Sequence, residues 1–314
     1  MRKRATGLFA GVALMAVTAA CGAGDQGSAA AGESGRPGVL AAFYPLQWIS
    51  EKVGGPDVAV TVLTKPGVEP HDLELTPRQV AGVADADLIV YLRGVQPAVD
   101  DAVEQNAADQ GFDAAAAVQT LSAASTGAQE EEEEGGAHAH EHEVSYDPHL
   151  WLDPSRLATM TTKLGERLAT VDPAHAAGYR ERAAAAVRDL TALDAEMKQG
   201  LTTCARHSIV TSHTAFGYLA GRYGLKQIGI SGIDPDAEPS PARLAEVAEV
   251  AKAEKMTTIF TEALVSPKVA EVLAQEVGAK TAVLDPLESK PATGDYVSAM
   301  RQNLATLRTA LGCT

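Results

Sequence analysis

Short runs of β-branched and aliphatic residues alternate with longer helical patterns along most of the chain, and no other feature restricts the fold as strongly. Val39–Phe43, Val58–Leu63, Leu88–Leu92 and Ala116–Leu121 read as strands of a first half, with helices over Pro45–Val53, Thr76–Ala84 and Pro97–Ala108 between them. The second half repeats the order, with strands at Ser208–Ser212, Gln227–Ile230, Thr257–Phe260 and Thr281–Leu284. Its helices read as Thr214–Tyr223, Ser240–Lys255, Ser266–Val277 and Tyr296–Leu311. Such alternation implies mainly parallel sheets with helices on their faces. The expected fold class is therefore α/β, with two βα domains at 39–154 and 202–314. Residues 155–201 contain no strand run and are broken only at Asp172-Pro173, where the proline suits the first turn of a helix and the aspartate its N-cap. A helix of ~28 residues, about 42 Å long, should follow. It would join the domains and restrict their closure.

The chain has 314 residues, with 26 Lys+Arg against 41 Asp+Glu and a net charge of −15. No basic face remains for a nucleic acid, and aromatics at 4% leave little for stacking on bases or sugars. Residues 1–20 stand apart from the globule. Arg2, Lys3 and Arg4 precede an apolar, small-residue stretch from Leu8 to Ala20, which has the build of an export signal. It ends in Thr18-Ala19-Ala20-Cys21, which resembles the bacterial lipobox, so Cys21 is expected to carry lipid at the membrane. Residues 21–38, rich in Gly, Ala and Ser, read as the flexible tether behind that anchor. No later stretch approaches ~18 consecutive apolar residues. Setting Cys21 aside leaves Cys204 and Cys313, an even pair in an exported chain and hence an expected disulfide.

One insertion interrupts the pattern. Residues 129–143 read QEEEEEGGAHAHEHE, with seven glutamates and the histidines His138, His140 and His142. Almost nothing in it can enter a core, and imidazoles beside carboxylates suit weak, mobile capture of a divalent ion.

Eight histidines are present in all. Three lie in that loop, and His175 and His207 occupy positions where exposed or locally bonded side chains are expected. His71 in KPGVEPHDLELTP follows a strand, His149 lies in YDPHLWLDP, and His213 in IVTSHTAFGYLA ends a strand. Ligands of open α/β sheets collect outside the carboxyl ends of the strands. Three histidines in separate loops, joined by a carboxylate from Asp285 or Glu288 in AVLDPLESKP, make a donor set suited to tetrahedral Zn²⁺, whereas Mn²⁺ prefers more oxygen.

With these segments in view, the chain resembles the metal-binding lipoproteins of bacterial ABC importers, in their zinc-specific branch (the ZnuA/AdcA type, cluster A-I). The resemblance spans Val39 to Leu311 and rests on GVEPHDLELTP, DPHLWLDP, IVTSHTAFGYLA, IFTEALVSPK and AVLDPLES, with an acidic His-rich insert before the second. It implies two βα domains joined by a long backbone helix, with the metal in the interdomain cleft. The ligands it implies are His71, His149 and His213, with Glu288 as the fourth and Asp285 or water as the other candidates. Glu262 matches a residue that supports the site without ligating.

The implied function is extracytoplasmic capture of Zn²⁺, the transported ligand, and its delivery to a membrane permease with a separate ATPase subunit. The protein itself is expected to be a lipid-anchored monomer and not an enzyme. No GxxxxGK[ST] loop is present, so ATP would be used by the partner. Within the same family the alternatives are a manganese-binding protein or an adhesin. A zinc hydrolase with three histidine ligands is the reading from another class, and neither HExxH nor GxSxG supports it.

Overall fold

The computed structural model describes residues 35–126 and 145–314. The export signal, Cys21, most of the tether and the insertion at 129–143 lie outside the described residues.

In the first half, β1 (Gly38–Ala41), β2 (Ala59–Val62), β3 (Leu88–Tyr91) and β4 (Gly111–Asp113) form a parallel sheet of order β2-β1-β3-β4. Pairing is in register from Gly38 opposite Ala59 to Ala41 opposite Val62, and from Val39 opposite Leu88 to Ala41 opposite Val90. Every residue of β3 is buried, as expected of a central strand covered on both faces. Three helices, α1 (Tyr44–Gly54), α2 (Pro77–Asp85) and α3 (Pro97–Asn106), connect the strands. Thr76 caps α2 in a reciprocal box with Gln79, and Pro77 opens the helix. A short helix, α4 (Ala123–Thr126), follows β4 at the end of the first described segment.

The expected strand at Ala116–Leu121 is not formed; its place in the sheet is taken by β4, a few residues earlier. Asp113 Oδ1 accepts from Arg93 N at 3.2 Å and from Ala115 N at 2.9 Å, so the chain turns at once. The alanines that follow have poor strand propensity and make a 3₁₀ turn at Ala115–Ala117.

The second half holds β5 (Ser208–Thr211), β6 (Lys226–Gly229), β7 (Thr258–Thr261) and β8 (Lys280–Val283), parallel and in the order β6-β5-β7-β8. Both sheets reverse their winding beside the first strand, which places a crevice at the strands' carboxyl ends.

Between the sheets, α5 (Pro154–Val171) and α6 (Ala176–Leu201) form the expected strand-free span. The helices of the second half are α7 (Gly217–Tyr223), α8 (Pro241–Ala253), α9 (Lys268–Val277) and α10 (Tyr296–Leu311). Asp153 caps α5 by accepting from Ser155 N at 2.8 Å. Asp172 does not cap α6 in the same way. Pro173–His175 is a 3₁₀ turn, and the Asp172 carboxylate instead meets His175 Nδ1 at 2.6 Å and Tyr179 OH at 2.8 Å. Helices α5 and α6 approach closely where a Cβ on Gly165 would stand 2.8 Å from that of Ala183. At 26 residues, α6 spans about 39 Å.

That helix is fastened to both halves. Arg182 donates to Val53 O at 2.7 Å and Gly54 O at 2.9 Å, satisfying carbonyls at the end of α1, and pairs with Asp57 at 2.7 Å. Toward its other end, Asp194 pairs with Arg222 at 2.7 Å, and Glu196 with Arg301 at 2.7 Å. One apolar core runs through both halves, from Val39 and Trp48 to Phe216, Tyr296 and Leu311. A smaller cluster built on Val210, Val247, Ile259 and Leu273 packs α8 and α9 on the second sheet. Cys204 and Cys313 form a disulfide. Among the described residues no helix is long and apolar enough to cross a membrane.

Asp100, on α3, is 3% exposed. Its Oδ2 accepts from Gly94 N at 2.8 Å and its Oδ1 has no hydrogen-bond partner among the described residues. Burial pushes its carboxyl up to about 7, against the lowering effects of the Gly94 bond and Arg93. A folded-state pKa above the unfolded value means that the folded protein holds the extra proton between them. This group's contribution to stability therefore falls as pH rises from about 4 toward 7. Asp100→Asn keeps an acceptor for Gly94 and removes the buried charge. The variant should be more stable than the parent at pH 8 by roughly a few kcal/mol, with the gap closing near pH 4. Urea unfolding at both pH values checks this, and equal stabilities at pH 8 would refute it.

Candidate metal centre

The crevice brings together four donors from four segments. His71 comes from the loop after β2, His213 from the bend after β5, and Glu288 from the loop after β8. His149 opens a 3₁₀ turn just before α5 and is the one donor not carried by a strand end. One atom from each of the four lies within 4.8 Å of the others. Glu288 Oε1 is 3.5 Å from His71 Nε2, 3.7 Å from His149 Nε2 and 3.5 Å from His213 Nε2, while the last two nitrogens are 3.3 Å apart. A tetrahedron with metal–ligand bonds of about 2.0–2.1 Å has edges of about 3.3–3.4 Å. The four contacts of 3.3–3.7 Å are close to those edges, and every pair of donor atoms lies within 4.8 Å.

Carboxylates behind the rings fix which nitrogen faces inward. Asp147 Oδ1 accepts from the backbone N of His149 at 2.9 Å and meets its Nδ1 at 2.8 Å. Glu262 does the same for His213, with its two oxygens at 3.1 Å from N and 2.6 Å from Nδ1. With Nδ1–H donated outward, both Nε2 atoms turn lone pairs to the centre, the arrangement that prepares imidazole for a metal. Glu262 thus supports His213 from behind. Two facing lone pairs at 3.3 Å, beside His71 Nε2 and Glu288 Oε1, which are buried with no hydrogen-bond partner among the described residues, require a proton or a cation between them.

Burial pulls His149 below the usual imidazole range despite Asp147. It also opposes charging of His213, but Glu262 and Glu288 overcome it and raise His213 well above that range. Glu288, which burial alone would raise, is held far below the carboxylate range by the neighbouring His213 and His71. Both directions are those of an ion pair between His213 and Glu288.

Asp285 points elsewhere. Its Oδ1 accepts from Leu287 N at 2.8 Å, and its backbone N donates to Asn303 Oδ1 at 3.0 Å. That turn sets Leu287 at φ 58, in the left-handed region that a leucine rarely occupies, and so delivers Glu288 inward. Trp151 Nε1 donates to Pro286 O at 2.6 Å, tying the His149 segment to the Glu288 loop. His175 is half-exposed and bonded to Asp172, and His207 is exposed.

The carboxylates behind His71 and His149 escape a search of the sequence for ligands alone. Their signal is a repeated acid-Pro-His triple, Glu69-Pro70-His71 and Asp147-Pro148-His149. Glu69 Oε1 accepts from His71 N at 3.0 Å, and its Oε2 is buried with no hydrogen-bond partner among the described residues. Burial and the neighbouring Glu288 push Glu69 up to about 7.

Two parallel-sheet lobes joined by a long helix, with a cation-sized donor cluster where they meet, define a solute-binding protein of the metal-ion type. The chain belongs to the family of the periplasmic zinc-uptake complex component A (ZnuA), whose model matches residues 39–310. It is 36% identical over 288 residues to the zinc-binding lipoprotein AdcA of Streptococcus pneumoniae serotype 4, covering 87% of this chain but only 56% of that relative. The chain thus spans little more than half of that protein. It is 34% identical to the high-affinity zinc uptake system protein ZnuA of Bacillus subtilis, with 99% of each covered. The Zn(II)-bound structure of AdcA from Streptococcus pneumoniae matches with a TM-score of 0.72 and 33% identity, over 88% of this chain and 58% of that one. The laminin-binding protein Lmb of Streptococcus agalactiae, described as having adhesin and metal-transporting activity, matches at 0.76 and 31%, over 88% and 99%.

Proposed function

We propose that this chain captures Zn²⁺ outside the cytoplasm and delivers it to the permease of an ABC importer, with His71, His149, His213 and Glu288 as ligands. The observation that carries the reading is the buried cluster itself: three imidazole nitrogens and one carboxylate oxygen within 4.8 Å of one another. Three nitrogens and one oxygen favour Zn²⁺ over Mn²⁺. Zinc-binding relatives support the same choice. Four donors close the tetrahedron and leave no position for an activated water, so the site suits binding and release better than hydrolysis. A lipidated Cys21 would hold the monomer at the membrane surface, where permease and ATPase subunits complete the importer.

Competition between the protein and a chelator, with residues 129–143 deleted so that only the compact site is read, tests the proposal. One Zn²⁺ per chain should bind tightly and Mn²⁺ far more weakly; parity between the two ions would refute it. Zinc must also compete with a proton for His213, whose pKa Glu262 and Glu288 raise. Because that proton is held above the usual imidazole range, apparent affinity should climb by about tenfold per pH unit from about 6 to 8. Calorimetric heats should vary with the ionisation enthalpy of the buffer. A flat affinity over this range would contradict ligation by His213.

A further inference from the structure

Helix α10 buries an apolar stripe that includes Tyr296, Val297, Met300, Leu307 and Leu311, and one residue within it is out of character. Asn303 is 2% exposed, and a primary amide buried there is unfavourable unless its groups are hydrogen-bonded. Both ends of the amide are used. Oδ1 accepts from Asp285 N at 3.0 Å and Nδ2 donates to Asp285 O at 2.6 Å, so the side chain holds both backbone groups of a single residue. An acceptor and a donor spent on the same residue also fix which way the amide faces.

Asp285 lies three residues before Glu288, in the loop after β8. From Asp285 to Leu287 the backbone is held at four points. Asn303 holds Asp285 N and O, Trp151 Nε1 holds Pro286 O at 2.6 Å, and the Asp285 carboxylate holds Leu287 N at 2.8 Å. Leu287 consequently sits at φ 58, a conformation unfavourable for a residue with a Cβ and abandoned once nothing maintains it. Return to negative φ would redirect the chain at Glu288 and take Oε1 from its place 3.5 Å from both His71 Nε2 and His213 Nε2. Of the three side chains responsible, Asp285 belongs to the loop itself and Trp151 to the segment that carries His149. Asn303 is rooted in a 16-residue helix that opens on a reciprocal cap between Asp295 and Ser298, which makes it the fixed support.

We propose that Asn303 is the positioning residue for the fourth ligand. Its two bonds to Asp285 keep Leu287 in the left-handed region, and Glu288 Oε1 therefore stands against the imidazoles before zinc arrives. The inference rests on the zinc-binding reading above. A carboxylate already in place removes the need to order a loop when the ion binds, which is how preorganisation raises affinity.

A double-mutant cycle separates positioning of Glu288 from general support of the fold. Zn²⁺ affinity of the tightest site is measured by chelator competition in the full chain, in Asn303→Leu, in Glu288→Ala and in the double variant. Leucine suits the apolar stripe and removes both hydrogen bonds. Asn303→Leu should weaken the tight site by about tenfold, the lower end of the loss for groups behind a ligand. In the Glu288→Ala background the same change should alter affinity by less than about twofold, because the carboxylate it positions is gone. Amide hydrogen exchange on the parent needs no variant: Asp285 N–H should be protected in the metal-free protein as well as with Zn²⁺ bound.

Parental affinity in Asn303→Leu, beside a weakened Glu288→Ala, would overturn this inference alone. An equal loss in both backgrounds would also overturn it, by showing that Asn303 acts on the fold and not through Glu288. So would an Asp285 N–H that exchanges freely without metal and is protected only when zinc is bound. Parental affinity in Glu288→Ala, or a parent with no tight Zn²⁺ site, would overturn the ligand reading together with the inference that rests on it.

Discussion

Replacing His71 by alanine is expected to weaken the tight Zn²⁺ site by more than ~100-fold, the upper end of what loss of a group behind a ligand costs. The variant removes a nitrogen that has no hydrogen-bond partner among the described residues and leaves Glu288 Oε1 with one fewer neighbour able to share its charge. His149→Ala and His213→Ala should cost as much or more, since each also strands a carboxylate, Asp147 or Glu262, that the imidazole now satisfies. Glu288→Ala should come next, ahead of Asp285→Ala. Asp285 acts by holding the turn through Leu287 N, so its loss loosens the delivery of Glu288 without deleting a donor. Chelator competition on each variant, with residues 129–143 removed, gives the order. Parental affinity in His71→Ala would defeat the ligand assignment, and a larger loss from Asp285→Ala than from Glu288→Ala would transfer the fourth position.

Two of the three histidines are legible because strand ends are legible. Ser208–Thr211 and Ala59–Val62 carry enough aliphatic and β-branched residues to mark where each strand stops. A histidine in the loop beyond such a stop has few places to go except the crevice. The parallel α/β halves and the strand-free span between them follow from the same alternation. Choosing Glu288 over Asp285 does not follow from the residues. It comes from the family resemblance, because the decisive feature is a leucine with positive φ, and nothing in a leucine announces that conformation.

Two elements differ from expectation for related reasons. The strand pattern at Ala116–Leu121 is weak, and a single acceptor, Asp113 Oδ1, turns the chain before it. Helix α7 begins at Gly217 instead of Thr214 because the residues after β5 are held out of helical geometry around His213. Thr211 Oγ1 donates to His213 O at 2.7 Å, and Thr214 N donates to Gly232 O at 2.8 Å. Local propensity is overridden at the place where the donor is presented.

Removing the Cys204–Cys313 disulfide, by changing both cysteines to alanine, should cost about 4–5 kcal/mol on the chain-entropy account of its loop. The bridge joins residues 109 apart in sequence, so its absence frees most of the second half in the unfolded ensemble. In the folded state the same junction is held by backbone bonds as well, with Arg206 N on Leu311 O at 3.1 Å and Thr314 N on Thr203 O at 3.0 Å. The native arrangement should therefore survive the change. Cys204 lies before the amino end of β5 and His213 beyond its carboxyl end, so the strand separates the bridge from the crevice. Two consequences should be separable by experiment. Thermal unfolding with metal removed should show the double variant melting roughly 8–20 °C lower, given a few degrees per kcal/mol for a chain of this size. Its Zn²⁺ affinity at room temperature should match the parent's, and added zinc should raise both melting temperatures through preferential binding to the folded form. A melting temperature unchanged in the variant would show that the bridge constrains little beyond what the backbone pairing already holds. Parental melting combined with lost zinc affinity would place the effect of the disulfide in the folded site instead of the unfolded chain.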